Sequence, residues 1–173
     1  MKICILSDSH DRSVPLERAV RDAEAQGAEA VLHCGDVIGA NTLRAALEYG
    51  IPLHVVHGNN LGDSLAMTRL AEASEGLLVY HGDDARIELA GRRIFMVHYP
   101  HLGHAIACTG DWDLVCCGHD HRASIAKVAH VSGGTTWLVN PGTVAGIGAS
   151  PTYVMGDLAR MKFSVAALEA DET

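Results

Sequence analysis

The chain has 173 residues, 48% of them hydrophobic and 20% charged, with a formal net charge of −8; at this length one core buries roughly 70% of the unfolded surface and needs no disulfide staple. The acidic balance excludes a broad nucleic-acid surface, which requires clustered Lys and Arg, and no apolar run approaches the roughly 20 residues that cross a bilayer. Five cysteines without regular spacing, mostly in apolar surroundings, read as small reduced core residues and point to the cytoplasm.

The first apolar run, residues 2–7, is too short for a signal peptide and breaks into Asp8-Ser9-His10-Asp11-Arg12, so it is expected to be a buried first strand. A helix is expected from about Val14, with Leu16, Ala19, Val20 and Ala23 at i, i+3, i+4 and i+7, Ser13 as its N-cap and Pro15 in its first turn. A strand at 30–34, a helix from about Asn41, a strand at 53–57 and a helix from about Asp63 continue the rhythm. That alternation builds βαβ units and a parallel sheet.

The second half changes character. Strands are expected at 86–89 and 93–98 across a turn at Ala90-Gly91-Arg92, then at 114–117, 125–130, 135–139, 152–157 and 162–167, with Gly133-Gly134 and Gly156-Asp157 as hairpin turns. With no repeat and no linker, residues 1–168 are expected to form one domain, and the acidic 169–173 a frayed tail. The fold class expected is α/β, a two-sheet sandwich flanked by helices.

In such folds ligands collect beyond the carboxyl ends of the parallel strands. Those ends carry Asp8-Ser9-His10, Gly35-Asp36, Gly58-Asn59-Asn60, His98 and Gly118-His119-Asp120-His121. A single Asp there is usually a turn or cap residue, and a single His is usually solvated. Turn formation does not explain carboxylates, imidazoles and a carboxamide at five successive strand ends, in a chain that holds eleven histidines. In an extended segment residues i and i+2 share a face, so Asp8 is expected to converge with His10 and His119 with His121, while Ser9 and Asp120 turn away. The run Cys116-Cys117-Gly118-His119-Asp120-His121 lacks the C-x₂₋₄-C and H-x₃₋₅-H spacings of structural zinc sites, and its two cysteines are assigned to the buried strand.

These five blocks, D-x-H, G-D, G-N, H and G-H-x-H in order, resemble the signature of the calcineurin-like metallophosphoesterases, and Asn140-Pro141-Gly142-Thr143 is similar to that family's N-P-G-S loop. The short chain is most similar to the small bacterial and archaeal phosphodiesterases of the family. The resemblance implies one metal held by Asp8, His10, Asp36 and His121 and a second by Asp36, Asn59, His98 and His119, with Asp36 shared. It also implies hydrolysis of a small phosphoester by a hydroxide bridging two divalent transition-metal ions, most often of a phosphodiester. Mixed O and N donors suit Mn²⁺, placed first, as well as Zn²⁺, Fe²⁺, Ni²⁺ or Co²⁺. The alternatives are a phosphomonoesterase and a non-catalytic interaction module, as in the retromer sorting subunit of the same fold.

The sequence departs from the family where many members carry a histidine after G-N, the acid for the leaving group. Asn60 stands there and has no proton to give at neutral pH; it is expected beside the substrate. Where relatives read H-G-H, this chain has His98-Tyr99-Pro100-His101-Leu102-Gly103-His104, which makes His101 a candidate acid and His104 a candidate phosphate contact. Arg12 is a further candidate for gripping phosphate. His33, His54, His57, His81 and His130 receive no role, Gly146-Ile147-Gly148 is read as a plain loop, no membrane partner is expected, and a homo-oligomer is left open.

Overall fold

Along β1 (Lys2–Leu6), Ile3 and Ile5 face one apolar cluster while Cys4 and Leu6 face another. A strand covered on both faces belongs to the middle of a layered α/β fold, and the computed structural model, which describes residues 1–168, shows that fold. The tail expected at 169–173 lies outside the described residues.

After β1 come α1 (Ser13–Ala25), β2 (Ala28–His33), a 3₁₀ turn (Ala40–Leu43), α2 (Arg44–Leu47), β3 (Leu53–Val55), α3 (Ser64–Ala73) and β4 (Leu78–Tyr80). There follow β5 (Asp84–Leu89), β6 (Arg92–Val97), α4 (Pro100–Ala107), β7 (Leu114–Cys116), β8 (Ala123–Ala129), β9 (Thr135–Pro141), β10 (Thr152–Asp157) and β11 (Lys162–Ala167). The first sheet has the order β11-β10-β1-β2-β3-β4, parallel from β1 to β4; the second has β5-β6-β7-β9-β8, with β6, β7 and β9 parallel. Ile3, Ile5, Leu32 and Val154 of one sheet meet Ile94, Met96, Leu114 and Val139 of the other, each fully buried side chain contributing about 1.5–3 kcal/mol. Helices α1 to α3 cover the outer face of the first sheet and α4 that of the second.

The sandwich and the βαβ rhythm agree with the sequence; several details differ. Helix α1 begins at Ser13 itself, with Arg12 in the cap position and no side-chain cap bond, because a tight turn from Ser9 to Arg12 (N–H to carbonyl, 2.8 Å) delivers the chain already coiled. Asp63 does cap α3, accepting from the amide of Ala66 at 2.9 Å. The helix expected from Asn41 is only the 3₁₀ turn and one turn of α2. Strand β4 escapes the periodicity because three edge residues are too few to show alternation. Gly156 and Asp157 lie inside β10; the reversal falls at residues 158–161, where Asp157 accepts from the amides of Ala159 and Arg160. The Ala90-Gly91 turn, with φ of 51° and 71°, closes a two-residue hairpin between paired Leu89 and Arg92.

Candidate metal centre

The loops leaving β1 and β2 run side by side past the sheet, with the amide of Asp8 on the carbonyl of Gly35 and that of His10 on the carbonyl of Asp36 (3.0 and 2.9 Å). Neither loop is extended. Asp8, His10, Asp36, His119 and His121 all hold positive φ, between 43° and 76°, a conformation that Asp and His tolerate better than most residues yet that still costs on the order of 1–3 kcal/mol each. The expected convergence of Asp8 with His10 and of His119 with His121 therefore arises from left-handed turns, not from i, i+2 alternation. Ser9 and Asp120 do turn away, onto His33 Nε2 (3.1 Å) and Asn140 Nδ2 (2.7 Å).

Seven side chains meet at these strand ends. His121 Nε2 lies 3.2 Å from His10 Nε2 and 3.3 Å from Asp8 Oδ1, and His10 Nε2 lies 3.7 Å from Asp8 Oδ1. Next to them, His98 Nε2 is 3.0 Å from Asn59 Oδ1, which is 2.8 Å from His119 Nδ1. Asp36 Oδ2 stands 3.7 Å from both His10 Nε2 and His98 Nε2 and so joins the two groups. The ligating atoms of Asp8, His10 and His121 lie within 4.8 Å of one another, and so do those of Asp8, Asp36 and His98.

Two of the imidazoles have their protons spoken for elsewhere. His98 Nδ1 donates to the carbonyl of Cys34 at 2.8 Å, and His121 Nδ1 to the carbonyl of Ile147 at 2.7 Å. A carbonyl only accepts, so in each neutral ring Nε2 is a lone pair aimed at carboxylate and carboxamide oxygens. Asp8 Oδ1 is buried without any hydrogen-bond partner, although an orphaned buried carboxylate oxygen is costly. Acceptors facing acceptors repel unless a cation lies between them, and imidazoles oriented through their other nitrogen are the usual dress of metal ligands. These residues fit divalent ions.

Two motif glycines are explained by proximity. A Cβ on Gly58 would stand 2.0 Å from Asp36 Oδ1, and one on Gly118 would stand 1.8 Å from Ser7 Oγ and 2.9 Å from Asp8 Oδ2. Any side chain there would displace a carboxylate of the cluster.

The other candidates are placed differently. Asn60 turns back onto Asp36, donating its backbone amide to Oδ1 (2.9 Å) and its side-chain amide to Oδ2 (2.7 Å). Arg12 donates to the carbonyl of Ala145 at 3.1 Å and lines a neighbouring groove with Arg18 and Gly146. The ring of His101 rests on Tyr99, which itself packs on His98 and His119, so His101 is one ring removed from the donors. His104 is exposed on α4, its Nδ1 3.8 Å from Cys108 Sγ.

Cys116 faces the core between the sheets and Cys117 the cluster under α4. All five cysteines are free, and burial raises the thiol pKa of Cys34 and Cys117, away from the thiolate a metal requires.

Sequence reasoning missed the residues that hold the ligands. Buried Asn140 donates to the carbonyl of Gly118 (2.8 Å) and to Asp120, while Thr143 Oγ1 donates to the carbonyl of Asp8 (3.0 Å). One loop thus clasps two ligand-bearing turns. The N-P-G-T match marked that loop without disclosing its work. Gly146-Ile147-Gly148 is also more than a plain loop, since it supplies the carbonyl for His121. Buried His33 props the Asp8–His10 turn through Ser9, and burial pushes its pKa down to about 3, which keeps it neutral.

Fold and donor cluster together define a metallophosphoesterase architecture. Residues 1–161 match the model of the calcineurin-like phosphoesterase superfamily domain, and the chain belongs to that family, hydrolases of phosphate esters that depend on divalent metal. It is 26% identical to a phosphodiesterase of Methanocaldococcus jannaschii, over 98% of this chain and 100% of that one. Among solved structures, an archaeal phosphodiesterase superposes with a TM-score of 0.86 at 23% identity, covering 97% of this chain and 100% of the other. Vacuolar Protein Sorting 29 from Cryptosporidium parvum shares the fold with a TM-score of 0.64 at 16% identity, covering 98% and 97%.

Proposed function

We propose that this protein is a phosphodiesterase working with two divalent transition-metal ions, one held by Asp8, His10, Asp36 and His121 and the other by Asp36, Asn59, His98 and His119. The observation that carries the reading is the position of Asp36 Oδ2, equidistant from the two histidine groups at 3.7 Å. The named activity of the archaeal relative supports the diester class. Mixed oxygen and nitrogen donors favour Mn²⁺, with Zn²⁺, Fe²⁺, Ni²⁺ and Co²⁺ as competitors, over the all-oxygen shell of Ca²⁺. When bound, such a pair of ions supplies a nucleophile at neutral pH and neutralises charge on the in-line transition state.

The chain's own residues set the stage for that chemistry. Asp8 and Asp36 contribute only −2 against the +4 of two ions, which leaves a net positive pole for an anionic diester. Their burial, with Asp8 at 0% and Asp36 at 3% exposure, strengthens that field. Cys34 and Ile147 hold the imidazoles of His98 and His121 in one tautomer, while Asn60 and the Asn140–Thr143 loop hold the carboxylates. No side chain that can donate a proton at neutral pH stands where the family's acid would be, so the site suits esters whose leaving groups depart as stable anions. Four buried cysteines without a disulfide accord with a reducing compartment, the cytoplasm. Among the described residues no helix is long and apolar enough to cross a membrane.

The fold shared with the sorting protein raises an interaction module as the rival, and a monoesterase is the nearer alternative. The deciding experiment reconstitutes metal-free protein with each ion and assays a chromogenic diester beside the matching monoester. Two ions per chain and faster diester turnover are expected; no turnover with any ion would favour the interaction module.

A further inference from the structure

A groove of about 630 Å³ opens directly from the second histidine group, and His98 and Asn59 belong to its wall. Phe95 and Val97 of β6 and Leu102 and Ile106 of α4 line it. Leu61, from the loop after β3, lines it as well. Leu61 is 55% exposed and Leu102 45% exposed. Single exposed leucines need no explanation, but two that line one largely apolar groove reaching a metal-competent cluster are the arrangement of a binding site. Tyr99 packs its ring on His98 and His119 and also lines the groove, so aromatic surface runs without a break from the donors outward. Polar groups line the groove too, His57, Asp83 and Asp84 among them, with Asp84 3.5 Å from Arg86 and the Arg86 guanidinium 5.9 Å from the centre of the Phe95 ring.

We infer that this groove is the subsite for one organic arm of the diester, and that the arm is bulky and apolar, aromatic for preference, with Leu61, Leu102 and Ile106 as specificity-determining residues. The inference rests on the phosphodiesterase reading, because the phosphate must sit on the histidine groups for its arm to enter here. A ligand anchored there has Tyr99, Phe95, Leu102 and Leu61 in the same groove for its substituent. An arm of naphthyl size offers these apolar side chains a large surface, whereas a methyl arm offers almost none. The volume lies within the roughly 300–1,000 Å³ typical of small-molecule sites.

The test compares methylphosphonate with 2-naphthylmethylphosphonate, which share a head group and differ only in the arm, by calorimetry on the metal-loaded full chain. The naphthyl compound is expected to bind about tenfold more tightly or better, from the apolar area it removes from water. Leu61→Asn with Leu102→Asn, neutral changes at half-exposed positions, should remove most of that advantage and leave methylphosphonate binding unchanged. Val165→Asn, at a 44% exposed position on β11, should change neither. Equal affinities in the parent protein, or an advantage that survives the double variant, would overturn the groove assignment while methylphosphonate binding still upheld the seat of the phosphoryl group on the histidine groups. Failure of both phosphonates to bind would overturn that seat, on which the phosphodiesterase reading depends, and the groove assignment with it.

Discussion

The side-chain amide of Asn60 donates to Asp36 Oδ2, the oxygen that stands 3.7 Å from both His10 and His98. This exposed loop residue, where the family commonly places its acid, therefore positions the carboxylate that both histidine groups approach. Asn60→Ala is expected to weaken metal binding about 10–100-fold, the usual cost of losing a partner that orients a ligand, and to change turnover much less once metal is saturating. Calorimetric metal titration beside kcat at saturation checks this. An unchanged titration with lost turnover would return Asn60 to the substrate.

Among the described residues, Asp36 is the carboxylate that both histidine groups approach equally. Asp36→Asn is expected to lower affinity for both ions, and His98→Ala mainly for the one it shares with Asn59 and His119. Metal analysis after equilibrium dialysis gives the count: about two ions per chain in the parent protein, one in His98→Ala, and fewer than one in Asp36→Asn at the same free metal. Two tightly held ions in Asp36→Asn would break the assignment of the shared ligand.

With Asn60 occupied on Asp36, His101 tilted against Tyr99 and His104 turned toward Cys108, none of these three is positioned as an acid. A general acid contributes about 10²–10⁴-fold, chiefly for poor leaving groups. Log kcat/KM for a series of aryl diesters should therefore fall steeply as leaving-group pKa rises, and His101→Ala and His104→Ala should leave that slope unchanged. A shallow slope in the parent protein, steepened by either alanine, would identify that histidine as the acid.

His54 and His81 stack with Nδ1 of one 3.0 Å from Nε2 of the other. Burial lowers both pKa values, that of His54 to about 4 with help from neighbouring His81. Below the unfolded value near 6.5 the unfolded chain takes up protons that the folded pair refuses, so stability falls with falling pH from about 6.5 toward 4. Tm measured from pH 7 to pH 5 should drop less in His54→Gln than in the parent protein. Parallel curves would show that the pair carries no such linkage.

The sequence announced the donors because each stands where an apolar run stops, at Asp8 after Leu6, at Asp36 after the second strand, at His98 after Val97. It disclosed much less of what aims them. His98 and His121 are held by the carbonyls of Cys34 and Ile147, and a backbone carbonyl leaves no mark in the choice of residue. The left-handed turns at Asp8 and His121 are likewise silent, since Asp and His occupy many loops without adopting them. Strand β4 was lost to its brevity. The directions of Arg12, Asn60 and His104 depended on partners brought in by distant parts of the chain, which spacing alone does not encode.

The clasp of Thr143 on Asp8 joins residues 135 positions apart, and the contact of His10 with His121 joins residues 111 apart. A nascent chain emerging from the ribosome thus carries Asp8, His10, Asp36 and Asn59 long before the groups that complete and lock the donor set exist. Loop closure over such spans is slow and comes late. On the proposed ligand set, metal capture becomes the closing event of maturation, and a tightly held ion certifies that residues 8–59 and 98–143 have found each other. In refolding from denaturant, metal uptake should follow the slowest phase of sheet formation; uptake in the earliest phase would contradict this order of assembly.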